Sequence, residues 1–225
     1  MNLWETRNQA LLSLSGDLAL DANLLDRGFQ LLHYVIEKLY DVDPQTPFVR
    51  VTALIAAKAN TLLACSYSLA LDAHAQESGA IARVLVETVE LLAYLNNEPR
   101  RIDEVLDDRL PKSGARAKAI RGHLQELRSH WNIHASHFNA TYQSVAHMIN
   151  FSANRLVLQQ PFRAHVLRAN LESLFVFLIW ACLETIRCLA VATSDGQAPL
   201  REALRDLRNE GFRHFSLAEP RRSEK

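Results

Sequence analysis

The chain has 225 residues, 48% of them hydrophobic, and 25 basic against 25 acidic side chains, for a formal charge of zero. Such a chain is long and apolar enough to bury one sizeable core, which excludes disordered and fibrous classes. Neutrality argues against a protein that coats nucleic acid without specificity, while leaving room for a local basic patch.

Residues 2 to 15 read as a short first helix with Leu3, Trp4, Leu11, Leu12 and Leu14 on its apolar side, ended by Gly16. A second helix at about 18 to 41 keeps a helical period through Leu24, Leu25, Phe29, Leu32, Val35, Ile36 and Leu39. Through residue 45 there are seven acids against three bases, and residues 1 to 45 are read either as part of the one domain or as a helical N-terminal appendage to it. Thr46 and Pro47 carry the signature of an N-cap followed by proline at the first helical position. They open a helix at about 47 to 75 that is rich in Ala and Ser, charged only at Arg50, Lys58 and Asp72, and therefore expected to be buried; its Asn60 and Ser66 need partners there.

After a break at Gln76 to Gly79 comes the stretch around which the fold is expected to be organised, Gly79 to Asn97. It is apolar nearly all round. Arg83, Glu87, Glu90 and Tyr94 share one line at i, i+4, i+7 and i+11, within roughly 60° of arc. This spacing predicts a buried helix with one narrow charged seam. An amphipathic piece at about 100 to 108 and a connector at Pro111 to Gly114 follow. From Arg109 to Arg128 there are six bases and one acid.

A helix at about 115 to 138 is predicted from Ile120, Leu124, Leu127, Trp131 and Phe138. Beyond it, residues on either side of Ser152 to Asn154 suggest a short β-hairpin near 147 to 159. Arg163 to Ala192 is a third buried helix, and 198 to 212 an amphipathic one carrying Leu200, Leu204 and Leu207. Residues 214 to 225 are expected to form a disordered tail. The expected class is all-α, a multi-helix bundle forming a single domain over 1 to 225.

Cys65, Cys182 and Cys188 lie in apolar helical runs without metal-ligand spacing, and read as core residues in a reducing compartment. The first twenty residues lack a basic region followed by a continuous apolar core, so no signal peptide is expected. The most apolar run, Leu174 to Leu183, is shorter than the ~20 residues that span a bilayer. A soluble, cytoplasmic chain with no membrane partner is expected.

Three groups can carry chemistry. The seam Arg83, Glu87, Glu90 and Tyr94 is either an internal ion-pair network, because a buried charge needs a partner, or a binding site. Paired carboxylates can act as acid and base or hold a metal, yet no Glu-x-x-His stands beside them. The second group is His123, His130, His134 and His137, on one side of the 115 to 138 helix within roughly 60°. His130, His134 and His137, at i, i+4 and i+7, can present three imidazoles to one metal only if a carboxylate or water completes the shell, and the helix offers no neighbouring Cys or acid. A hydrogen-bonded strip is the simpler reading, and neither metal nor cofactor is expected. The third is the Arg-x(4 to 6)-His pattern, matched by Arg27 and His33, Arg116 and His123, Arg128 and His134, and Arg208 and His214. Chance alone supplies roughly two or three such matches in this composition. Arg128 and His134 stand about 120° apart on a straight helix.

Arg83-x-x-x-Glu87 leading to Ala93-Tyr94-Leu95, then His134-Ala135-Ser136-His137, a short hairpin before Pro161-Phe162 and a long apolar helix resemble uncharacterised bacterial all-helical proteins near the HEPN superfamily, of the abortive-infection type. The resemblance covers about residues 50 to 190. In that group the later helix reads Ser-x-x-x-His followed by Pro; with His137 in the His position, Ile133 stands where Ser belongs and no Pro follows.

The resemblance implies a dimerising bundle that acts on RNA or a nucleotide without metal in a defence or toxin-type role. His134 and His137 would then serve as acid and base and Arg128 would stabilise phosphate charge. Arg83, Glu87, Glu90, Tyr94, His130 and Arg116 are the expected binding residues. Two other readings use the same residues: a non-catalytic homodimeric helical interaction module, and a bundle that binds a small molecule or metal at the seam.

Overall fold

A computed structural model describes residues 3–120, 149–150, 152–157 and 160–217. Among them eight α-helices run in order: α1 Leu3–Ser15, α2 Ala19–Tyr40, α3 Pro47–Leu71, α4 Ala75–Asn97, α5 Ile102–Leu106, α6 Ser113–Ala119, α7 Ala164–Thr193 and α8 Ala198–His214. A 3-10 turn at Pro99–Arg101 precedes α5. Between α6 and α7, β1 Ile149–Asn150 and β2 Arg155–Leu156 pair antiparallel, Ile149 against Leu156 and Asn150 against Arg155. The fold is an all-α bundle.

Local chemistry sets several of these boundaries. Thr46 is extended and its hydroxyl accepts from the Val49 N–H at 3.3 Å, with Pro47 at the first helical position. That satisfies one of the donors a helix start leaves open. Helix α4 begins at Ala75, four residues earlier than the Gly79 start read from sequence, because His74 O accepts from Ser78 N and carries the ladder across the expected break.

The hub is α7 rather than α4. Helix α7 touches α1, α2, α3, α4 and α8, and fully buries Leu171, Phe175, Leu178, Ala181, Cys182, Ile186 and Cys188. The reason is its length and near-continuous apolarity: 30 residues greasy on nearly every side can pack against five neighbouring helices. Helices α3 and α7 are long and apolar enough to cross a membrane, and 67% of the most apolar window of α7 is buried inside the bundle. Counting only the uninterrupted run Leu174 to Leu183 concealed that length.

The N-terminal helices belong to the same core cluster. Ala10 of α1 and Leu24, Leu32, Val35 and Leu39 of α2 are fully buried in it. Arg7 ties α1 to the end of α3, donating to Asp72 Oδ1 and Oδ2 at 2.7 and 2.6 Å and to Ser68 Oγ at 2.7 Å. Helices α3 and α4 form an antiparallel pair joined by a reciprocal hydroxyl clamp. Ser66 Oγ and Ser78 Oγ lie 2.6 Å apart, and each bonds the other residue's carbonyl, at 3.2 and 3.0 Å. Ser66 thus has the partner its burial demands. The Asn60 Oδ1, also buried, has no hydrogen bond among the described residues.

Two glycines let helices meet closely. A Cβ on Gly28 of α2 would lie 2.5 Å from Leu178 Cδ2, and one on Gly211 of α8 would lie 2.1 Å from Phe175 Cζ. Both neighbours belong to α7.

Candidate functional site

The seam of α4 is not one site. Arg83 and Glu87 are half-buried and closed on each other, Arg83 Nη2 to Glu87 Oε1 at 3.5 Å. Glu90 turns into the core at 1% exposure, and Tyr94 at 5%. Tyr94 donates from its hydroxyl to Glu104 Oε2 of α5 at 2.8 Å. The Arg101 guanidinium sits 4.1 Å over the Tyr94 ring and donates to the Tyr94 carbonyl at 3.3 Å. Burial first, then the Glu104 hydrogen bond, raises the Tyr94 phenol above its ordinary pKa, with the Arg101 charge opposing. A seam running 11 residues on from Arg83 to Tyr94, at a rise of about 1.5 Å each, is roughly 17 Å long, enough to meet different neighbours in a bundle along its length. Its upper half faces outward and its lower half faces α5.

Arg116 on α6 donates to the Pro111 carbonyl at 2.7 Å. It lines, with Glu87, a groove of about 360 Å³ bounded by Val51, Leu54, Ile55, Lys58, Val84, Thr88 and Leu91. Seam and basic run therefore meet at Glu87 and Arg116. His123, Arg128, His130, His134 and His137 lie outside the described residues, as does most of the helix expected at 115 to 138; its first part is α6.

Of the four Arg-His pairs, two are wholly described, and neither closes on itself. Arg27 of α2 donates to Glu210 Oε2 of α8 at 2.8 Å, while His33 rests near the Phe29 ring, with centroids 6.3 Å apart. Arg208 donates to Asn209 Oδ1 at 3.0 Å and lies 5.9 Å from the Phe212 ring. His214, six residues on, points to the other side of α8, as a turn of 3.6 residues requires.

What His214 meets was not legible from its spacing. Its Nε2 is 3.0 Å from Asp21 Oδ2 in the first turn of α2, and the Arg168 Nε of α7 lies 3.5 Å from Asp21 Oδ1. The Asp21 carboxylate is 1% exposed as a residue, and the His214 side chain 20%. Three helices thus bring together a carboxylate, an imidazole and a guanidinium. A carboxylate only accepts, so the bonded nitrogen carries the proton and Nδ1 is left as the basic atom of the neutral ring. The Phe215 ring stands edge-on to the imidazole, 4.9 Å between centroids, which fixes its plane. Asp21 is one of several acids in the N-terminal part of the chain, and only the long-range meeting of α2 with α8 marks it.

A second network was also missed. Asn96 Nδ2 of α4 donates to the Glu184 carbonyl at 3.0 Å and to its Oε2 at 2.9 Å. Arg187 donates to Glu184 Oε1 at 3.0 Å and to Asn97 Oδ1 at 3.1 Å. It fastens the end of α4 to α7. Its donors and the Glu184 carboxylate bond one another across the helix pair, while the buried Asn96 Oδ1 has no hydrogen bond among the described residues.

Among the described residues no three His, Cys, Asp or Glu side chains are placed to hold a metal ion. No protein-family model matches the chain, and neither does any curated protein or any solved structure.

Proposed function

We propose that this chain is a HEPN-like helical-bundle protein that acts on RNA or a nucleotide, with Asp21, His214 and Arg168 as a reacting group in addition to the His134, His137 and Arg128 set expected from the sequence. The observation that carries the reading is the His214 imidazole held by a buried carboxylate with a guanidinium on the carboxylate's other oxygen. Phosphodiester cleavage needs a base to take the proton of the attacking hydroxyl and a cation to stabilise charge on the phosphate. His214 Nδ1 fits the first role, Asp21 positions the ring, and Arg168, half-exposed, fits the second. The all-helical fold agrees with this reading.

The test is purified protein incubated with total RNA, comparing wild type with His214→Ala, His134→Ala and His137→Ala at matched helicity. RNA should be shortened by wild type, and His214→Ala should slow this by roughly 100-fold or more, the ordinary range for a general base. RNA left whole by the wild type overturns the reading. The alternative, a non-catalytic homodimeric interaction module, is favoured by one observation: Arg83 with Glu87, and Tyr94 with Glu104, are closed pairs that need no ligand.

A further inference from the structure

Where α7 turns into α8, the chain and the end of α4 wall a cavity of about 330 Å³. Its polar groups are Asn96 of α4, Arg187 of α7, Ser194 and Asp195 of the turn and Arg201 of α8, with Val191 as an apolar side. Not all of them have partners. The Arg187 charge is committed to Glu184 at 3.0 Å, and its other terminal nitrogen to Asn97. Asp195 accepts only from the backbone and side-chain amides of Gln197, at 3.3 and 3.4 Å. Arg201 has no ion-pair partner among the described residues, although it lines the same cavity as Asp195.

Asn96 supplies the third open group. It is 8% exposed, and its Nδ2 donates to two Glu184 oxygens, which fixes the other end of the amide as the oxygen. That Oδ1 has no hydrogen bond among the described residues, so a buried acceptor is left open on a residue of the cavity wall. An unpaired cation, an unpaired carboxylate and an unpartnered acceptor around one small space fit a ligand that carries both charges. From this cluster we infer that the cavity binds a free α-amino acid with a small apolar side chain. Its carboxylate lies on the Arg201 guanidinium, at the positive end of α8, which no side chain caps. Its ammonium, with three N–H donors, serves Asn96 Oδ1 and the Asp195 carboxylate, and its side chain packs on Val191. Thirteen residues of α8, about 20 Å, separate Arg201 from His214. The inference goes beyond the proposed activity and stands or falls without it.

Isothermal titration of the full chain with L-valine tests it, beside isobutylamine and isovalerate, which each keep one of valine's two charges. L-Valine should saturate one site per chain with a Kd below about 1 mM, and each analogue should bind at least roughly tenfold more weakly. Arg201→Gln and Asp195→Asn, both at exposed side chains, should each weaken L-valine about tenfold or more. Val191→Trp, which fills the cavity and touches none of the charges, should abolish binding at unchanged helicity by circular dichroism. No saturable binding of L-valine below about 10 mM overturns the inference. So does isovalerate bound as tightly as L-valine, which would mean a site for anions only, or an Arg201→Gln protein of wild-type affinity. RNA cleavage measured on the same preparations separates the outcomes: a chain that binds L-valine and leaves RNA whole keeps this inference and loses the proposed activity.

Discussion

Gly211 occupies a position that no larger residue fits. Its missing Cβ leaves room for the Phe175 ring, whose Cζ would otherwise be 2.1 Å away, and Phe175 is fully buried against Phe215 at 5.5 Å between ring centroids. Gly211→Ala gains helix propensity but forces a rigid aromatic ring to move, and overpacking of this kind costs about 1–3 kcal/mol. A fall in Tm of roughly 2–4 °C per kcal/mol is the expected readout in a thermal melt. Gly114→Ala is the control. Nothing lies within 4 Å of its added Cβ, so its Tm should stay or rise slightly. At this scale the sequence is partly legible. The i, i+4, i+7, i+11 row did place Glu90 and Tyr94 toward the interior, since both fall between apolar neighbours. It could not name Glu104 or Arg101 as the partners of Tyr94, because those arrive by way of the turn at Pro99 rather than by helical spacing. Asp21 and His214 lie 193 positions apart, and no local pattern joins them.

At the scale of elements, periodicity read the helices well and their ends less so. Helices α2, α3 and α7 begin within about a residue of the starts read from sequence, at about 18, 47 and 163. The start of α4 was misplaced because Gly79 and Ser78 look like breakers, yet Ser78 is buried in the clamp with Ser66 and its hydroxyl prefers that partner to a turn. The Thr46 cap, in contrast, was readable, since Thr followed by Pro before an apolar run has a mechanism behind it. Thr46→Ala should remove the bond to Val49 N–H and cost about 0.5–2 kcal/mol. Urea unfolding followed by circular dichroism measures it through a lower midpoint at unchanged slope. A midpoint equal to that of wild type would mean that Pro47 alone starts the helix.

Taken as a whole, the molecule keeps two of its three thiols away from water. Cys65 is exposed, while Cys182 and Cys188 are fully buried on α7. Burial, followed by the nearby Glu184 charge, pushes the Cys188 thiol up to about 12, and burial pushes Cys182 up further. Folding therefore favours the protonated thiol. The stability this contributes is complete below the unfolded thiol's pKa of about 8.5 and is lost as pH rises from there through about 12. Iodoacetamide at pH 8 should add one group to the native protein, at Cys65, and three once denaturant opens the core, counted by intact mass. Three fast additions to the native chain would contradict the placement of α7.

The position of α7 in the chain also has a consequence for biosynthesis. Helices α2, α3 and α4 leave the ribosome with apolar sides that, in the finished fold, pack against residues 164 to 193. They must wait, collapsed and adhesive, for more than sixty further residues to be translated. A chain cut short before that point leaves α1 to α4 without their shared partner, a species for chaperones and proteases rather than a smaller working protein.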